Sequence, residues 1–172
     1  MNYYKKLKRN LSKREFYLYV TGMSFVTFVS VFWIVSFFVF PISKPENIDP
    51  SLSKDQLIQG ASKYLNNFAL SKILSYIANS LILIFFLIYV WLLRGKISCG
   101  YGFYISFITL FIILVGIPFI QWNQITTSQK SIGLLLSFSN LFIAITLTVY
   151  MFVLYRDRRI QEFEWIKNKG RR

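Results

Sequence analysis

The chain has 172 residues, of which 20 are Lys or Arg, 7 are Asp or Glu and none is His; it has one Cys, and 55% of its residues are hydrophobic. The lack of His, with carboxylates scattered outside the apolar runs, argues against a haem, zinc or di-iron centre, and Cys99 alone cannot form an internal disulfide. The net charge of +13 sits almost entirely in ends and loops, so it reads as topogenic and lipid-contacting charge, not as a nucleic-acid footprint.

Residues 1–15 form a basic arm in which Lys5, Lys6, Lys8, Arg9, Lys13 and Arg14 stand against Glu15. Tyr4, Leu7 and Leu11 recur among them at helical spacing, which suits either a basic helix on a membrane surface or a solvated arm. Four runs without a charged side chain follow, at 16–43, 73–93, 97–129 and 131–155. About 20 apolar residues cross a bilayer core as a helix, and soluble proteins of this size do not carry four such runs. The first span is expected over 16–40. Its length, and the lack of a small-x-small site after Phe40-Pro41, favour a retained span over a cleaved signal.

Residues 41–72 make the one long loop. Pro41, Pro45 and Pro50 extend its first part, and a helix then starts either at Asp49-Pro50 or at a Ser53/Gln56 capping box. Leu57, Ile58, Ala61, Tyr64, Leu65 and Phe68 recur every three to four residues, with Asp55, Gln59, Lys63 and Asn66 on the other face. That pattern predicts an amphipathic helix over 50–68, too polar to span. It should meet the membrane interface or a partner through Leu57, Ile58, Ala61, Leu65 and Phe68.

The second span is expected over 73–93, bounded by Lys72 and Arg94. Gly95, Gly100 and Gly102 turn the chain, and Cys99 reads as an idle turn cysteine. A single helix over 97–129 would be about 50 Å long, against a hydrocarbon core of about 30 Å. The glycines and the polar string 121–129 trim the third span to 103–120, with Pro118 kinking or ending it. The fourth span is expected over 132–155. In the basic tail, 156–172, Ile160, Phe163 and Ile166 continue a helical face beside Trp165.

With the N-terminus inside, the inner segments hold 15 Lys and Arg and the outer ones 5. The positive-inside rule then puts both termini on the cytoplasmic or matrix side, in a bacterial plasma membrane or an organelle inner membrane. Tyr17, Tyr19, Tyr89, Trp91, Tyr104, Tyr150 and Tyr155 would form the inner aromatic belt. The abundance of Phe, Ile, Tyr, Lys and Asn suggests an A/T-rich genome.

The polar residues inside the spans are Ser75, Asn79, Ser80, Ser137, Ser139, Asn140, Thr146 and Thr148. A bare carboxamide in hydrocarbon is costly, so Asn79 and Asn140, with Ser75 and Ser137, are expected to make interhelical hydrogen bonds. Thr21, Ser24, Thr27 and Ser30 resemble a small-residue seam, but a spacing of three drifts about 60° per step on a helix. The spans contain no Asp, Glu, Lys, Arg or His, and no paired carboxylates or nucleophile with a base appear. No catalytic, cofactor-binding or metal-binding residue is therefore expected.

These observations predict an all-α polytopic membrane protein: an antiparallel four-helix transmembrane bundle with an extra interfacial amphipathic helix. The expected role is a non-enzymatic accessory or scaffold subunit of a larger membrane complex of secretion, motility, respiratory or ATPase type. Its partners would be other membrane subunits and, through Lys5, Lys6, Lys8, Arg9, Arg156, Arg158 and Arg159, anionic phospholipids at the inner face. The alternative is a small self-associating pore or transporter lined by uncharged polar groups.

Overall fold

A computed structural model describes residues 11–39, 54–95 and 100–169, with the backbone alone at 54–57, 61, 95 and 169. Helix α1 (Lys13–Val39) starts where Ser12 and Glu15 cap each other. The Glu15 amide donates to Ser12 Oγ at 3.2 Å, and the Ser12 amide donates to Glu15 Oε2 at 2.7 Å. This reciprocal cap satisfies two amides that the first turn leaves free, so the helix begins before the charge-free run does.

Helix α2 (Lys54–Gly95) is one element of 42 residues. From Lys54 on, the amphipathic segment and the second span, read separately from sequence, are thus a single helix, because 69–72 holds no Gly or Pro to break the ladder between them. The two cap residues proposed for its start, Asp49 and Ser53, lie outside the described residues. Helix α3 (Tyr101–Gly116) ends just ahead of Pro118, which sits in a 3-10 turn, Ile117–Phe119. Gln121 then takes a left-handed conformation (φ 57°, ψ 38°), and a second 3-10 turn, Trp122–Gln124, completes the connector. Helix α4 (Thr127–Lys169) runs 43 residues and takes in the basic tail as far as Lys169. The Gln129 side chain accepts from the Thr126 amide at 2.9 Å and caps its start.

The buried residues repeat at alternating steps of three and four: Tyr19, Met23, Val26, Ser30 and Trp33 on α1; Leu83, Phe86, Val90 and Leu93 on α2; Tyr104, Phe107, Phe111 and Leu114 on α3. On α4, Leu136, Asn140, Ile143 and Leu147 continue the same rhythm. That 3.5-residue period keeps one seam of each helix turned to its neighbours, as in left-handed bundles. Helix α4 packs against α1 and α3, while α1 also packs against α2; α2 and α3 meet mainly through aromatic rings. Phe86 centres that contact, 4.9 Å from Phe107, 5.2 Å from Phe111 and 5.6 Å from Tyr19.

We call the end holding Lys13, Arg94 and Tyr101 proximal, and the end holding Val39, Lys72 and the α3–α4 connector distal. At the proximal end the Leu11 amide donates to the Leu93 carbonyl, and at the distal end Phe37 meets Phe68. The outer faces of all four helices expose large apolar side chains, among them Phe28, Phe38, Phe85, Ile113 and Phe152. All four helices are long and apolar enough to cross a membrane, and no strand occurs among the described residues.

Candidate functional site

The most unusual side chain in the bundle is Lys72, which is 1% exposed. Its position follows from two i, i+4 pairs: Phe68 lies one turn before it on α2, and Trp33 and Phe37 share a face of α1. Folding the two helices together puts Lys72 Nζ 5.9 Å from the Trp33 ring centre, 5.5 Å from Phe37 and 5.2 Å from Phe68. The ammonium also donates to the Ile120 carbonyl, in the connector before the left-handed Gln121. A buried charge is costly unless compensated. Here three ring faces and a carbonyl oxygen supply the negative potential, and a desolvated cation–π contact contributes about 2 kcal/mol. Sequence reading placed Lys72 only as the boundary of a span; the aromatic spacing was the signal that could have found its cage.

Beside the aromatic cage of Lys72 the distal end also buries polar side chains. Gln129, fully buried, donates from Nε2 to the Ser36 carbonyl at 3.3 Å, and Ser36 Oγ donates to the Trp33 carbonyl at 2.6 Å. The Gln129 bond ties α4 to α1, and the Lys72 bond ties α2 to the connector. Glu15, also 1% exposed, is the other Asp, Glu, Lys or Arg side chain buried among the described residues, at the proximal end.

Deeper in the bundle, Asn79 Nδ2 donates to Ser30 Oγ at 3.0 Å and joins α2 to α1. Ser137 Oγ donates to the Val115 carbonyl at 2.9 Å and joins α4 to α3. Ser75 bonds within its own helix, to the Ser71 carbonyl. Asn140 is fully buried, and neither its Nδ2 nor its Oδ1 finds a partner among the described residues. Of the small-residue series on α1, Ser24 and Thr27 bond their own helix, and Ser30 is the member that reaches across.

At the proximal end several arginines lie on rings. The Arg94 guanidinium is 4.6 Å from the Phe16 ring centre, and that of Arg158 is 4.4 Å from Tyr101. Arg159 Nε donates to the Tyr155 hydroxyl at 3.0 Å, and Arg156 lies 3.8 Å from Asp157. Lys5, Lys6, Lys8, Arg9 and Cys99 lie outside the described residues, as do the side chains of Leu57 and Ala61. Ile58 and Leu65 are exposed on the part of α2 beyond the bundle, whereas Phe68 is buried in the lysine cage.

No group of His, Cys, Asp and Glu that could hold a metal ion occurs among the described residues. The arrangement binds helices to one another and holds one cation in a cage. No family model, curated protein or solved structure matches the chain.

Proposed function

We propose that this chain is a non-enzymatic integral membrane subunit that docks into a larger membrane assembly, with both termini on the cytoplasmic or matrix side. The carrying observation is that α2 and α4 overrun opposite ends of the bundle. Residues 54–67 extend past the distal end and 159–169 past the proximal end, and they expose Ile58 and Leu65 on one side and Phe163 and Ile166 on the other. Lipid covers apolar faces between the bundle ends, but apolar residues beyond the headgroups call for a protein surface or the interface.

An antiparallel arrangement is supported by the order of the contacts. Tyr19, Ser30 and Phe37 of α1 meet Phe86, Asn79 and Phe68 of α2 in falling order. Tyr19 and Ser36 of α1 meet Tyr150 and Gln129 of α4 in the same sense. The partners in this reading are other membrane subunits and anionic phospholipid at the proximal face. Purification in mild detergent tests it: distinct partner chains should copurify, and truncation after Arg159 should leave membrane insertion intact while reducing their recovery. A chain that purifies without partners, before and after truncation, would refute the docking role.

A second reading, a small pore lined by uncharged groups, is favoured by one observation, the buried Asn140 carboxamide without a partner among the described residues. Solute flux through the purified chain in liposomes, lost in Asn140→Leu, would establish it.

A further inference from the structure

Between α1 and α4, on the lipid-accessible side of the bundle, runs an open groove of about 680 Å³. Its floor is made of small residues, Thr21, Gly22 and Ser139, and its walls of Phe25, Phe138 and Phe142, with Tyr17 at its proximal mouth. The Ser139 hydroxyl is already committed to the Leu135 carbonyl, so that part of the floor offers no free donor to a polar guest. From Tyr17 to Phe25 the groove follows eight residues of helix, about 12 Å, close to the roughly 15 Å depth of one leaflet. Lys13 and Arg14 stand four and three residues before Tyr17, which puts both on the same face one turn above the mouth, and both are exposed. The neighbouring acid, Glu15, is buried on the core side of α1 and does not neutralise that face. Arg156, held near Asp157, is not needed for the site.

We infer that this groove holds an acyl chain of an anionic phospholipid whose phosphate rests against Lys13 and Arg14. The inference rests on the proposal that these helices span a bilayer, and it turns general contact with anionic lipid into a defined site. The apolar walls take hydrocarbon, and the two cations at the mouth select the headgroup.

The test is native mass spectrometry of the chain purified in mild detergent and titrated with dioleoyl phosphatidylglycerol or dioleoyl phosphatidylcholine. The wild-type chain should retain the anionic lipid about thirtyfold better than the zwitterionic one, as two cations at an anionic surface imply. Lys13→Gln with Arg14→Gln should abolish that preference and leave phosphatidylcholine retention unchanged. Thr21→Phe fills the floor at an exposed position, and should reduce retention of both lipids with the melting temperature preserved. Equal retention of both lipids by the wild type, or full retention of phosphatidylglycerol by a folded Thr21→Phe variant, would overturn the site. If Thr21→Phe spares lipid but removes a copurifying chain, the groove seats a helix and the lipid assignment is wrong. A chain that does not fractionate with membranes would overturn the bilayer reading and the site together, whereas loss of lipid selection in a membrane-extracted, folded chain overturns the site alone.

Discussion

The two buried asparagines differ in what surrounds them, and the difference sets opposite expectations. Asn79 has Ser30 across the α1–α2 interface, so Asn79→Leu should lower stability by about 1 kcal/mol, the scale of an interhelical hydrogen bond between spans. Asn140 places two polar atoms in the core without a protein partner among the described residues. Removing such a group while keeping its volume is neutral or stabilising, so Asn140→Leu should leave the melting temperature in detergent equal to wild type or above it. A loss equal to that of Asn79→Leu would mean that the Asn140 carboxamide is held by a group of its own. At Lys72 the expected order is also specific. Lys72→Met removes a costly charge along with its contacts, and should change stability by less than about 1.5 kcal/mol. Lys72→Glu sets a carboxylate against three ring faces and a carbonyl oxygen, and should be clearly the worse of the two in the same melt.

Among the helices, two glycines report on how closely elements approach. A Cβ at Gly60 meets nothing within 4 Å, so Gly60→Ala should firm up the overhanging part of α2 by about 1 kcal/mol. Slower hydrogen exchange of the amides around residue 60 would show it. A Cβ at Gly133 would come within 3.2 Å of Pro118 Cβ and 3.3 Å of Trp33 Nε1. Gly133→Ala should therefore destabilise the junction of α4 with α1 and the connector, and lower the melting temperature. The four long apolar helices were legible because each grows from an uncharged run, and Pro118 marked the end of α3 for the usual reason that proline lacks an amide. The union of the amphipathic segment with the second span is not legible: the change from polar to apolar composition reads as a boundary, although no helix breaker stands there. The start of α1 is hidden for the same kind of reason, since the Ser12/Glu15 cap lies in an arm whose composition is dominated by basic charge. The Lys72 cage needed the pairing of α1 with α2, which no single stretch of sequence contains.

For the molecule as a whole, the 15-to-5 distribution of Lys and Arg makes orientation directly testable. In a Cys99→Ser background, a cysteine at Ser51 should react with an impermeant reagent in intact cells, and one at Asn168 should react only after permeabilisation. The reverse pattern would invert the proposed topology and move the anionic-lipid contacts to the other leaflet. One further property follows from α4, which contains neither glycine nor proline between Leu134 and Lys169. Sharp bends in helices arise at such residues or at bulges, so this segment, about 54 Å at the usual rise, behaves as a stiff rod. A load applied by a neighbour at Phe163 would have no hinge in which to dissipate before it reached Gly133, where the rod bears on Pro118 and Trp33. Trp33 is one wall of the lysine cage. The close contact at Gly133 would then act as a fulcrum, and force at one end of the bundle would arrive as strain around the caged Lys72 ammonium at the other.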